Sequence, residues 1–223
     1  MKSLKSANIK GFTLMEMMVY VAIVAIMSGA AIVGLGSISD TFDPARAGEI
    51  IKSRIEWTAE AFARGEFLKA TFYFRENRNH LVITLQPPNA ALDLTWDEAN
   101  NCLTTTEPGV FRLKVTDRDG AIPDEGNFDS GMELCVDFEN MPDIERQYQL
   151  INDEGGMSQI IGFAHFNSKD TGYSVSFGPG TDAELIMDAP HGKKRFYDKN
   201  GNQVSELVLS LKNENKSIDV TLQ

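Results

Sequence analysis

One carboxylate stands at the head of an apolar stretch. Glu16 directly precedes residues 17–39, which carry no charged side chain. A carboxylate at mid-membrane costs up to roughly 3 kcal/mol, so a buried Glu16 calls for a cationic partner. A second group of interest is oxygen-rich: Asp117, Asp119, Asp124, Glu125, Asn127 and Asp129. Calcium takes such ligands, which makes Asp117, Asp119, Asp124 and Asp129 a calcium candidate, although the spacing fits no EF-hand and a solvated acidic loop is the simpler reading. The third is the pair Cys102 and Cys135. Two cysteines make no disulfide scaffold; outside the cytoplasm they can form one bridge, and the alternative is two separate reduced thiols.

Catalytic constellations are missing from the sequence. His80, His165 and His191 are far apart and show no HExxH spacing. No serine stands in a GxSxG context, and Gly178-Pro179-Gly180-Thr181 lacks the lysine of a phosphate loop. The sequence therefore predicts no enzyme and, apart from the calcium candidate, no cofactor. A formal charge of -11 disfavours general binding to nucleic acid. The short basic cluster Lys193-Lys194-Arg195 is expected to be a solvated strand edge.

The elements that must position these groups begin with the N-terminus. Residues 1–10 are basic and free of acids, with Lys2, Lys5 and Lys10 ahead of the apolar run. That order keeps the front of the chain in the cytoplasm and sends the remainder across. Residues 17–39 exceed the roughly 20 apolar residues that a helix needs to cross a bilayer. An ordinary secretory signal would be cut after Ser28-Gly29-Ala30, but Glu16 and the continuing apolar residues Ile32, Val33, Leu35 and Ile38 oppose that.

Lys10-Gly11-Phe12-Thr13-Leu14-Met15-Glu16 resembles the prepilin cleavage motif of type IV pilins and type II secretion pseudopilins. The resemblance implies a cut between Gly11 and Phe12 by a prepilin peptidase, followed by N-methylation of Phe12. It further implies that Glu16 pairs with the Phe12 amine of a neighbouring subunit. The chemistry agrees: Gly11 presents an unobstructed backbone, the freed amine is positive near neutral pH, and Glu16 lies one helical turn on. Losing Lys2, Lys5 and Lys10 takes the formal charge from -11 to -14. Some pseudopilins bind calcium, which is the resemblance's bearing on the acidic stretch. Val33 stands about where many pilins carry a proline, a departure that pseudopilins tolerate.

Ile51, Ile55, Ala59 and Phe62 recur at steps of three or four and predict an amphipathic helix, with Asp43-Pro44 as a kink or restart and Gly65 as its end. Strands are predicted at 70–74, 81–85, 110–115, 132–138, 160–166, 173–177, 205–211 and 218–222, with a hairpin turn at Asn200-Gly201. Residues 87–109 look irregular and 117–130 look like a loop. The layout loosely resembles H-type minor pseudopilins and their FimT-like relatives, through 57–85 and 196–222.

The expected fold is α+β, pilin-like: a long N-terminal helix, half membrane and half amphipathic, packed on a C-terminal antiparallel sheet. The expected domains are a leader (1–11), a transmembrane or filament-core helix (12–39), its amphipathic continuation (40–66) and a periplasmic β-rich domain (67–223). The expected role is a minor subunit of a secretion pseudopilus or type IV pilus, with a major pilus subunit or a DNA-capturing minor pilin as alternatives. Implied partners are the prepilin peptidase, other pilin or pseudopilin subunits, the inner membrane and a secretion or pilus assembly platform. The implied location is the bacterial inner membrane, single-pass, with the C-terminal domain periplasmic or extracellular, and then the filament.

Overall fold

The computed structural model describes residues 44–117, 125–138, 145–166 and 174–223. The one helix among these residues, α1, covers 44–63. Pro44 opens it, where a missing N–H costs nothing and the fixed φ already suits a helix. Ala47, Ile51, Ile55, Thr58 and Phe62 form the buried stripe, while Lys52, Glu56 and Glu60 face solvent. Thr58 settles its hydroxyl by donating to the Arg54 carbonyl at 2.8 Å. Gly65, at φ 75°, stops the helix: the Glu66 N–H bonds the Ala61 carbonyl and the Gly65 N–H bonds that of Phe62. This pair of bonds needs a left-handed residue at the turn, which glycine supplies without strain.

Seventeen strands follow among the described residues. They are β1 (Lys69–Phe74), β2 (His80–Gln86), β3 (Ala90–Leu92), β4 (Thr95–Asp97), β5 (Cys102–Thr104) and β6 (Val110–Asp117). Then come β7 (Glu125–Asp129), β8 (Leu134–Cys135), β9 (Glu145–Ile151), β10 (Met157–Ser158), β11 (Ile160–His165) and β12 (Ser176–Phe177). The last are β13 (Ala183–Asp188), β14 (Lys193–Tyr197), β15 (Gln203–Val204), β16 (Leu207–Lys212) and β17 (Ser217–Leu222). Eleven of them make one sheet in the order β15-β14-β13-β1-β2-β11-β9-β10-β3, with β6 paired to β9 and β7 to β6. Two three-stranded sheets, β12-β16-β17 and β4-β5-β8, complete the described residues.

The large sheet carries a core on each face. Ala70, Phe72 and Phe74 of β1 and Leu81, Ile83 and Leu85 of β2 point to the side covered by α1 and by β16 and β17. Phe74 and Phe166 both meet Phe177 edge-on, with ring centroids 5.7 Å apart. Val82, Ile161 and Phe163 point the other way, into a second core with Phe111, Leu113, Phe128 and Leu150. The β4-β5-β8 sheet and the residues flanking it roof that second core, through Leu103 in β5, Leu94 just before β4, and Val136 and Phe138 after β8. Each fully buried side chain of this size contributes about 1.5–3 kcal/mol, so both cores count.

A bulge lets one strand serve two neighbours. Met157 pairs with Ile151 but Ile161 pairs with Tyr148, so the β10–β11 path carries one extra residue. At the bulge the fully buried Ser158 accepts the Leu150 N–H on its hydroxyl at 2.9 Å. Gln159 turns out and donates to Asp93 at 2.9 Å and to the Leu94 carbonyl. The roof is thereby tied to the sheet.

This architecture corrects the expected one. Among the described residues the chain is mostly strand with a single short helix over 44–63, and none of them forms a long helix packed on a sheet. The physical reason lies in the middle of the chain. Residues 87–109, expected to be irregular, supply β3, β4 and β5, and the expected loop 117–130 contains β7. With β9 and β13, β3 and β7 extend the large sheet to eleven strands, while β4 and β5 form a separate small sheet with β8. The strand expected over 132–138 keeps a ladder only at Leu134–Cys135.

Candidate functional site

Cys102 and Cys135 sit directly opposite one another where β5 pairs with β8, beside the pair Leu103 and Leu134. Their sulfurs are bonded, 2.04 Å apart. Alternation along the strands puts both cysteines on the face opposite Leu103 and Leu134, which pack in the second core. On that face Cys102 is 2% exposed, whereas Cys135 is exposed. Glu133 lies two residues before Cys135, so both project from the same face. Its carboxylate and the two sulfurs lie within 4.8 Å of one another. This is the one group of three metal-ligating side chains among the described residues. With both sulfurs committed to the bridge, it offers a metal no thiolate.

Beneath the roof two histidines face each other across β2 and β11, His80 opposite His165. Both are buried. His80 stacks on Phe138 at 3.9 Å between centroids, with the planes 7° apart. Burial, then the nearby Arg78 and His165, push the His80 pKa down to about 4, so it is neutral at physiological pH. Trp96 adds its ring against Phe163 at 4.6 Å.

Where the β3–β4 segment leaves the face of β1 and β2, a cleft of ≈ 710 Å³ opens, lined by Thr71, Tyr73, Thr84, Trp96, Glu98 and Glu107 among others. Arg75 holds one of these lining residues, Glu98. It contacts Glu98 at 3.2 Å and Glu184 at 3.0 Å, and lies 5.2 Å from the Tyr73 ring centre. Burial opposes its charge, but the hydrogen bond to Glu184 and the field of both carboxylates outweigh burial and raise its pKa.

The residues singled out from sequence fare differently. Gly11, Phe12 and Glu16 lie outside the described residues, as do Asp119 and Asp124. Asp117 ends β6, while Asp129 pairs with Val110 at the start of that strand. Seven residues of strand separate those positions, roughly 23 Å. Asp117 and Asp129 therefore cannot share one calcium ion, whose ligands stand about 2.3–2.6 Å from it. Sequence reasoning passed over Glu133. The period-two spacing to Cys135 placed them on one face, but nothing local showed that Cys102 would arrive there too.

No helix among the described residues is long and apolar enough to cross a membrane. Residues 6–32 match the family model described as the prokaryotic N-terminal methylation motif. The match includes Gly11, Phe12, Glu16 and much of the apolar run, and it supports a relationship to type IV pilins and pseudopilins. No curated protein and no solved structure matches the chain. The likeness to H-type minor pseudopilins gains no support from these comparisons. What the N-terminal match indicates is a pilin-like subunit of a pilus or pseudopilus, processed by a prepilin peptidase and assembled with other pilins.

Proposed function

We infer that the chain is a minor subunit of a type IV pilus or secretion pseudopilus, cleaved after Gly11 and methylated on Phe12. The observation that carries this is the match of residues 6–32 to the N-terminal methylation motif, with glycine, phenylalanine and glutamate at the required places. Residues 17–39 anchor the precursor in the inner membrane and then enter the filament. Glu16 pairs there with the Phe12 amine of a neighbour, a contact that sets register more than it adds stability. The bridged Cys102–Cys135 pair supports an exported C-terminal domain, because such bonds persist in oxidising compartments.

Coexpression with a prepilin peptidase tests the reading. Gly11→Val retains the leader and the larger mass, because a branched side chain obstructs the scissile backbone. Glu16→Ala is cleaved normally but fails to enter filaments. Efficient cleavage of Gly11→Val would contradict the assignment of the cut, and normal assembly of Glu16→Ala would contradict the pairing.

A further inference from the structure

We propose that Cys135 is a thiol–disulfide exchange site and that Glu133 selects, by charge, which thiols reach it. Disulfide exchange is an in-line displacement: the attacking thiolate approaches opposite the sulfur that leaves. Cys102 is buried at 2% exposure and Cys135 is exposed. An attacker from solvent therefore meets the exposed residue and attacks the Cys135 sulfur, with Cys102 leaving. The attacking thiolate forms a new S–S bond to Cys135 Sγ. The Cys102–Cys135 bond breaks, and Cys102 Sγ takes the electron pair and then a proton from water. The product is a mixed disulfide on Cys135 and a free thiol on Cys102.

The Glu133 carboxylate lies within 4.8 Å of both sulfurs and is exposed. It repels every incoming thiolate and disfavours the negative charge that builds on the sulfurs during exchange. Two unit charges about 5 Å apart in water alter a rate roughly fourfold. Thiols that carry a cationic group offset this repulsion, and anionic thiols add to it. The favoured co-reactants are thus cationic thiols, or thiol oxidoreductases whose rim is basic around the reactive cysteine.

The test treats the full chain, in a non-ionic detergent, with cysteamine, 2-mercaptoethanol and 2-mercaptoethanesulfonate. Rates are normalised to thiolate concentration, and adducts are located by peptide mass mapping. The expected result is an adduct on Cys135 and a rate order of cysteamine, then 2-mercaptoethanol, then 2-mercaptoethanesulfonate. Glu133→Gln speeds attack roughly fourfold and narrows the spread, with the gain shrinking in high salt. Glu214→Gln, an exposed acid on the turn after β16, serves as control and leaves the rate unchanged. An adduct on Cys102, or an unchanged rate in Glu133→Gln, overturns the proposal.

Discussion

Gly48 of α1 lies against Val220 of β17 so closely that a Cβ on the glycine would stand 2.8 Å from Val220 Cγ2. The helix can approach the small sheet only because this position has no side chain. Gly48→Ala gains about 1 kcal/mol in helix propensity but forces a stiff β-branched neighbour aside, at about 1–3 kcal/mol. A net loss of up to about 2 kcal/mol is expected in urea unfolding. Val220→Ala in the same chain should recover part of it, a non-additivity that reports direct contact.

His80 makes stability depend on pH. Its folded pKa, about 4, lies below the unfolded value of 6.5, so the unfolded chain binds the extra proton between those limits. The contribution is fully present above the unfolded pKa and is lost as pH falls from 6.5 toward 4. About 2 kcal/mol should disappear between pH 7 and pH 5, above the range where carboxylates titrate. Urea midpoints at the two pH values measure this. His80→Phe, which keeps a ring against Phe138, should flatten the dependence; an unchanged slope would mean that other groups cause it.

Removing the bridge loosens the roof. The two cysteines are 33 residues apart, and closing a loop of that size restricts the unfolded chain by about 3–4 kcal/mol. The Cys102→Ala, Cys135→Ala double variant should unfold at lower urea by that amount. Hydrogen exchange should rise first at Leu103 and Val136, because β8 has only two ladder residues.

Ser158→Ala tests the bulge. The change leaves the Leu150 N–H without its acceptor at a fully buried site. A loss of about 1–3 kcal/mol is expected, with faster exchange of the Leu150 amide. Ser158→Thr retains the oxygen and should lose less.

Local signals were legible where the residue types agreed with the geometry. Pro44, the stripe Ile51, Ile55 and Phe62, and Gly65 marked α1 from start to stop. Ile218, Val220 and Leu222 marked β17, and Asn200-Gly201 marked the turn after β14. β13 was missed although Ala183, Leu185 and Met187 alternate cleanly into the core. Alanine, glutamate, leucine and methionine are helix formers, and only pairing with β1 and β14 makes them a strand. β9 was missed because its polar residues hide a two-residue apolar face, Tyr148 and Leu150. The β10–β11 bulge depends on a serine hydroxyl replacing a ladder bond, which no local pattern announces. Those unread strands turned a predicted helix-on-sheet fold into an extended sheet with a core on each face. The site was legible as residue types, with Cys102 and Cys135 noted as a candidate pair, but Glu133 joined them only through the β5–β8 register.

The mature N-terminus tests the central claim most directly. Mass spectrometry of the chain isolated from membranes or sheared filaments should find methylated Phe12 as the first residue, with residues 17–39 retained. A product that keeps Lys2, Lys5 and Lys10, or one that begins at Ala31, would contradict the pilin-like reading.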